Sequence, residues 1–102
     1  MKTLTYNKLF ITITRTEEKN DTFIVNLKIK NNAPCQTIIF PNEEIRLLVN
    51  KEVINLDNYK FENNLDPGQE TEGSLFFKIS GKPKKATLQF GKLVLTKKNV
   101  NI

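Results

Sequence analysis

The feature that most restricts how this chain can fold is an alternation of apolar and polar side chains in residues 22–32. One set of alternate positions is apolar and the other is mainly polar: Phe23, Val25, Leu27 and Ile29 against Asn26, Lys28 and Lys30. Successive side chains of a β-strand point to opposite faces, whereas a helix repeats about every 3.6 residues. The segment therefore predicts a strand with one buried and one solvated face, on which Ile24 is the exception.

Residues 8–15 show the same alternation, with leucine or isoleucine at every second position. Five polar residues, 17–21, separate the two segments and include Asn20 and Asp21. Asn and Asp tolerate turn conformations because their side chains bond the nearby backbone. The two segments are therefore expected to form an antiparallel hairpin.

The remaining sequence predicts further short strands. They are expected at residues 36–40, 45–49, 52–55, 70–80, 86–90 and 92–96. Asn50 and Lys51 suit a two-residue hairpin turn between two of these strands. Before the strand at 70–80, Pro67 fixes one turn position and Gly68 supplies the positive φ of a type II turn.

Two linking segments and the end of the chain are less regular. Residues 42–44 are expected to form a turn, and residues 56–64 a loop that crosses from one sheet to another. In that loop Tyr59 and Phe61 would fill one end of the core. Residues 97–102 are predicted to be a flexible tail, because chain ends fray unless they are held by packing.

No segment has a helical apolar period of normal length, so the fold class is all-β. A chain of 102 residues forms one domain, residues 1–102. Seven or eight short strands separated by turns predict an antiparallel, immunoglobulin-like β-sandwich. A small β-barrel is the alternative.

Three segments resemble a bacterial family of immunoglobulin-like domains of unknown function. The family is common in Gram-positive lipoproteins and was formerly labelled telomeric repeat-binding-like. Residues 23–32 resemble the family's apolar strand that ends in Asn. Residues 65–77 resemble its element in which Leu-x-Pro-Gly is followed by Gly-x-Leu-x-Phe. Residues 86–90 are the third matching segment. The resemblance implies a two-sheet accessory or interaction module with no catalytic residues to carry over. This sequence departs from the family in lacking the usual lipoprotein signal and lipidation cysteine.

The compartment of the protein is not fixed by its sequence. The first residues carry no apolar core of the length that a signal peptide needs, and no run is long enough to span a membrane. The chain as given is thus expected in the cytoplasm, or outside the cell if it is a mature fragment. The single cysteine, Cys35, permits no intramolecular disulfide and no cysteine-based zinc site.

The side chains that usually carry catalysis are scarce. Histidine is absent, so the commonest general base and transition-metal ligand are missing. Cys35 has no histidine to activate it and is expected to be a small, half-buried loop residue. The carboxylate pairs 43–44 and 70/72 could act as acid and base or hold a cation, but such pairs are usually solvated. A non-enzymatic protein without cofactor or metal is predicted.

The charge of the chain is divided unevenly. Residues 73–102 carry seven lysines and no carboxylate side chain, whereas residues 1–72 have nine basic and eleven acidic residues. A candidate anion-binding set lies in the basic part: Lys78, Lys82, Lys84, Lys85 and Lys92. It could attract nucleic acid, an anionic cell-wall polymer, a lipid surface or an acidic protein. The alternative is a solvated face that serves solubility.

Some apolar residues fall on the solvated faces of the predicted strands. Phe10, Ile24, Phe76 and Leu48 could form an outward patch that binds a partner, or could be covered within the fold. The sequence therefore predicts an interaction module that binds a protein partner or its own copy through a sheet face or edge. Binding of an anionic polymer through the lysine cluster is the alternative function.

Overall fold

The computed structural model describes residues 2–79, 83, 85–91 and 98–102, and in these ranges 66% of the residues are in β-strands and almost none are helical. The elements in chain order are β1 Lys2–Tyr6, β2 Leu9–Lys19, β3 Thr22–Asn31, β4 Thr37–Ile38, α1 Pro41–Glu44, β5 Ile45–Val49, β6 Glu52–Asn55, β7 Asn58–Lys60, β8 Asn64–Leu65, β9 Glu70–Lys78, β10 Ala86–Phe90 and β11 Lys98–Asn101. All pairings are antiparallel. The all-β prediction is confirmed.

The larger sheet has five strands in the order β1-β2-β3-β9-β7. Its centre is the predicted hairpin of β2 and β3, closed by Asn20 and Asp21 at φ values of 52° and 59°. The register of β2 shifts between Ile13 and Arg15, a bulge that turns Arg15 to the outer face opposite Asn26. The predicted alternation holds along β3, where the inward residues are all buried.

The second sheet has four strands in the order β11-β10-β5-β6. The predicted turn of Asn50 and Lys51 connects β5 to β6, with φ values of 51° and 69° that match a type I′ hairpin. In the centre of this sheet Leu88 lies directly opposite Leu47, and both side chains are fully buried.

One hydrophobic core draws on both sheets. Val25, Leu27 and Phe77 enter it from the five-stranded sheet, and Leu47 and Phe90 from the four-stranded sheet. Burial of each such side chain stabilises the fold by roughly 1.5–3 kcal/mol. The sheets do not close into a barrel, so the barrel alternative is wrong.

The chain crosses between the two sheets just after β6, as predicted for residues 56–64. β6 belongs to the four-stranded sheet and β7 to the five-stranded sheet. Tyr59 and Phe61 are half-buried against the core, with ring centroids 5.1 Å apart. The segment is more regular than expected, because residues 58–60 pair with β9 as a strand.

A buried asparagine joins the end of β3 to two loops. Asn31 Nδ2 donates to the carbonyl oxygens of Cys35 at 3.0 Å and Leu65 at 2.9 Å, and Oδ1 accepts from the Ala33 N–H at 2.9 Å. The Asn31 backbone also accepts from the Gly68 N–H at 2.8 Å. One side chain therefore fixes the loop after β3 and the turn before β9, where Gly68 has the predicted positive φ of 82°.

Several boundaries differ from the sequence-based expectation. Residues 98–101 form β11 instead of a tail, because Val100 lies opposite Leu88 and packs against the core. Residues 2–6 form a strand that the sequence analysis did not predict. Only Thr37–Ile38 of the predicted strand 36–40 is a strand. The turn expected at 42–44 is a helical turn, and the strand expected at 92–96 lies outside the described residues.

In the part of the chain described here, no helix has the length and apolar character needed to cross a membrane.

Candidate interaction surface

The apolar patch predicted from sequence is divided by the fold. Ile24 and Phe76 lie directly opposite each other on β3 and β9, but Phe10 lies opposite Lys30. Lys30 is six positions from Ile24 along β3, a separation of roughly 20 Å. Leu48 lies on the outer face of the other sheet, opposite Val53. The four residues therefore do not form one surface.

The cross-strand pair of Ile24 and Phe76 is also less accessible to solvent than expected. Ile24 and Phe76 are half-buried, and the Lys60 ammonium lies 5.8 Å from the centroid of the Phe76 ring. An ammonium over an aromatic face is a favourable cation–π contact that covers the ring. Phe10 is 48% exposed but is isolated from the other two.

The predicted lysine cluster is described only in part. Lys78 is exposed at the end of β9 opposite Thr22, and Lys85 is exposed just before β10. Lys82, Lys84 and Lys92 lie outside the described residues. Lys85 shares a cleft with Lys2, a residue that the sequence analysis did not include.

Two of the sheet edges shield each other. β1 and β11 lie side by side, with Cα atoms within 8 Å, and Lys2 Nζ donates to the Asn101 carbonyl oxygen. A strand inserted between them would need about 10 Å, twice the usual spacing of neighbouring strands. Neither edge is therefore open to a further strand.

The edge at β7 is blocked by a side chain. This strand has three residues, and the Tyr59 N–H that faces away from β9 is bonded to Asn58 Oδ1 at 2.9 Å. A short edge strand with a capped donor offers little to an incoming chain.

Of the edges of the five-stranded and four-stranded sheets, as far as the structure describes them, the edge at β6 remains open; β4 and β8 form a separate two-stranded sheet. Val49 and Glu52 flank the two-residue turn and exchange backbone hydrogen bonds, so the next bonded pair is Leu47 and Ile54. Val53 and Asn55 therefore turn their N–H and C=O groups away from β5. Unpaired groups of this kind are a template for strand addition.

Besides Phe10, three large apolar side chains are well exposed among the described residues: Ile38 at 49%, Phe40 at 46% and Val53 at 54%. Val53 belongs to β6 itself, whereas Ile38 belongs to β4. Asn42, two residues after Phe40, donates from Nδ2 to the Leu56 carbonyl oxygen immediately after β6, at 3.4 Å. The sequence analysis missed these three residues. The run Ile38-Ile39-Phe40 was the available signal, because only one face of a short strand can be buried.

A small depression lies between α1 and β7. Its volume is about 200 Å³, and its lining comprises Phe40, Pro41, Asn42, Glu43, Tyr59 and Asn63. Asn63 is fixed there because its Nδ2 donates to the Ile39 carbonyl oxygen at 2.9 Å. The depression is large enough for one side chain of a partner.

The buried Glu44 carboxylate holds Phe40 in place. Glu44 Oε2 accepts from the Phe40 N–H and Oε1 from the Tyr6 hydroxyl, both at 2.6 Å. The side chain is only 3% exposed, although carboxylates at 43–44 were expected to be solvated. That expectation is wrong for Glu44, because its two hydrogen bonds replace the water that burial removes.

Alkaline titration provides a test of this contact. Burial, followed by the hydrogen bond to Glu44, raises the pKa of Tyr6 well above its ordinary value of 10.0. A raised folded-state pKa gives stability that is fully present below the unfolded pKa and falls as pH rises above it. We expect Tyr6 to ionise only as the protein unfolds, so its phenolate absorbance should appear together with loss of the β-sheet circular dichroism. The Tyr6→Phe protein should lack that step; a Tyr6 phenolate in a folded protein would contradict the contact.

The acidic and cysteine side chains of the described residues are dispersed. These residues contain no group of three acidic, histidine or cysteine side chains that could hold a metal ion. Glu70 and Glu72 lie on the outer face opposite Lys30 and Lys28. Cys35 is exposed, whereas a half-buried loop residue was expected.

The fold defines an all-β protein of antiparallel sheets, and within its described residues the strand β6 lies at an unpaired edge of the four-stranded sheet. No family model and no curated protein matches the chain. A solved structure is similar: a functionally unknown protein from Listeria monocytogenes EGD-e, with a TM-score of 0.68 and 12% sequence identity. The alignment covers 99% of this chain and 79% of that one. At this identity the similarity concerns the fold alone.

Proposed function

We propose that this protein is a non-enzymatic interaction module with an immunoglobulin-like sandwich topology, and that it binds by adding a strand at the β6 edge. The observation that carries the proposal is the open edge of Val53 and Asn55, beside exposed apolar side chains. Backbone bonds supply affinity in strand addition, and neighbouring side-chain contacts supply specificity. The resemblance to the bacterial family of accessory domains is consistent with this role.

A second copy of the chain is the occupant that the geometry of the edge favours. If Val53 of one copy pairs with Asn55 of the other, the antiparallel register is symmetric about Ile54, so a two-fold axis repeats the same backbone bonds on both sides. Val53 and Asn55 are both exposed, so their side chains leave room for the second strand. Such a dimer would join two four-stranded sheets into one continuous sheet.

The apolar residues extend the contact beyond the backbone. A four-residue strand supplies few hydrogen bonds, so side-chain burial must provide much of the affinity. Val53 and Leu48 form a cross-strand apolar pair on the outer face. Phe40 adds an exposed ring on a backbone that is fixed by the bond from the Phe40 N–H to Glu44.

The proposal predicts a concentration-dependent dimer that Val53→Pro abolishes. The substitution removes an N–H that faces away from β5, so the β5–β6 pairing remains intact. Sedimentation should show a species of twice 11.8 kDa, with a Kd on the order of 10–100 µM for so small an interface. Val53→Lys should also abolish it, by placing a charge on the apolar pair.

Phe10→Lys is the matched control. Phe10 has a similar exposure to Phe40 but lies on the outer face of the other sheet. The Phe10→Lys substitution should leave the dimer unchanged.

If the protein is a monomer, a photo-crosslinker at position 53 tests whether a different protein supplies the added strand. That protein, once purified, should bind the wild type and not Val53→Pro. A monomer without such a partner protein contradicts the proposal.

A further inference from the structure

A cleft with basic residues lies at the side of the protein where β1 and β11 meet. Its volume is about 360 Å³, and the described residues that line it are Lys2, Lys85, Ala86, Thr87, Asn101 and Ile102. Two of these are lysines, and none of the described lining residues has an acidic side chain. Lys2 and Lys85 are far apart in sequence and come together because β1 and β11 are neighbours.

The polar groups of the cleft are held in position by one another. Lys2 Nζ donates to the Asn101 carbonyl oxygen, which uses one of the three N–H bonds of the ammonium. Thr87 Oγ1 lies 3.0 Å from Asn101 Oδ1 and donates to it. Because Asn101 Oδ1 accepts this bond, the Asn101 Nδ2 group remains available as a donor. Lys2, Lys85 and Asn101 thus offer donors and positive charge to the same space.

A smaller depression adjoins the cleft on the other side of Lys2. It has a volume of about 170 Å³ and includes Arg15 and Thr14 in its lining. The Arg15 guanidinium lies 3.5 Å from the Glu17 carboxylate, so its charge is partly compensated. The side of Lys85 is therefore the more favourable side for an anion.

We propose that this cleft binds a phosphate-type oxyanion between the ammonium groups of Lys2 and Lys85. Ammonium groups and an amide N–H match the charge and acceptor oxygens of a phosphate. The oxyanion can come from free phosphate or from a phosphodiester-linked polymer, whose backbone supplies the same group. The site does not involve β6, so it is independent of strand addition.

Titrations with three probes at two salt concentrations test the site. Inorganic phosphate, a short single-stranded oligonucleotide and poly(glycerol phosphate) are added to the 102-residue chain, while NMR follows the amides of Thr87 and Asn101. At least one probe should shift both amides. Lys2→Gln combined with Lys85→Gln should weaken binding at least tenfold. If a polymer is the ligand, the change should also reduce the slope of log K against log salt by about 2, one for each lost phosphate contact.

Lys28→Gln combined with Lys30→Gln is the matched control. These exposed lysines lie on the outer face of the five-stranded sheet, opposite Glu72 and Glu70, and their loss changes the net charge equally. Binding should change by less than twofold. Binding of phosphate alone, or of a polymer, would support the site and identify the source of the oxyanion. Equal weakening by both double variants, or no shift with any probe, would overturn it.

Discussion

Replacement of Asn31 by leucine is expected to lower the free energy of unfolding by about 4 kcal/mol. Asn31 is fully buried, and its side chain satisfies the Cys35 and Leu65 carbonyl oxygens and the Ala33 N–H. Leucine has a similar volume but removes all three bonds, so the Cys35 carbonyl oxygen keeps only the long bond from Thr37 Oγ1 at 3.4 Å and the other two backbone groups lose the side chain that satisfies them. Each unsatisfied buried group costs about 1–3 kcal/mol. Urea denaturation followed by circular dichroism measures the loss, which is large against a typical total of roughly 5–15 kcal/mol.

Asn32→Leu is the control for this prediction. Asn32 is the next residue, its side chain is exposed, and only its backbone N–H is bonded, to the Lys8 carbonyl oxygen at 3.0 Å. Its substitution should change stability by less than about 0.5 kcal/mol. Similar effects at both positions would mean that the Asn31 hydrogen bonds do not stabilise the fold.

Replacement of Gly73 by alanine should displace β7 and lower the free energy of unfolding by about 3 kcal/mol. A Cβ atom at this position would lie 1.7 Å from the Lys60 carbonyl oxygen and 2.8 Å from Phe61 Cβ. The nearest atom is backbone, so relief requires the end of β7 to move. Hydrogen exchange should show reduced protection of the Asn58 and Lys60 amides, while β2 and β3 remain protected.

Gly68→Ala separates this steric effect from the loss of glycine as such. Gly68 has a φ of 82°, and a Cβ there would have no atom within 4 Å. Only the left-handed backbone conformation opposes alanine, at a cost of about 1–2 kcal/mol. The β7 amides should stay protected in this variant. A Gly73→Ala protein with intact β7 protection would show that the two backbones are not in close contact.

Local patterns predicted the elements that depend on local chemistry. The alternation in β3 and the turns at Asn50 and Gly68 were correct, because side-chain period and backbone conformation are properties of a few adjacent residues. β11 was not predicted, since Val100 gains its stability from a strand ten or more residues away. The burial of Glu44 was missed for the same reason: its partner Tyr6 lies 38 residues earlier in the chain.

The candidate surfaces depend even more on long-range contacts than the individual strands do. The sequence identified Phe10, Ile24 and Phe76 as outward apolar residues, and they are on outer faces, but their separation depends on the register of β2, β3 and β9. Sequence analysis likewise did not group Lys2 with Lys85, because Lys2 lies in the part of the chain with a net negative charge. Register and strand order are long-range properties that composition does not contain.

The sequence by itself determined that this chain is all-β, which turns its hairpins use, and which side chains alternate toward a core. These features follow from the two-residue period of a strand and from the φ preferences of Gly, Asn and Pro. The tertiary structure alone decided which edge stays open and which charges meet. Edges and clefts form where strands distant in sequence become neighbours. β1 and β11 therefore shield each other, whereas β6 pairs only with β5 among the described residues and keeps one side unpaired.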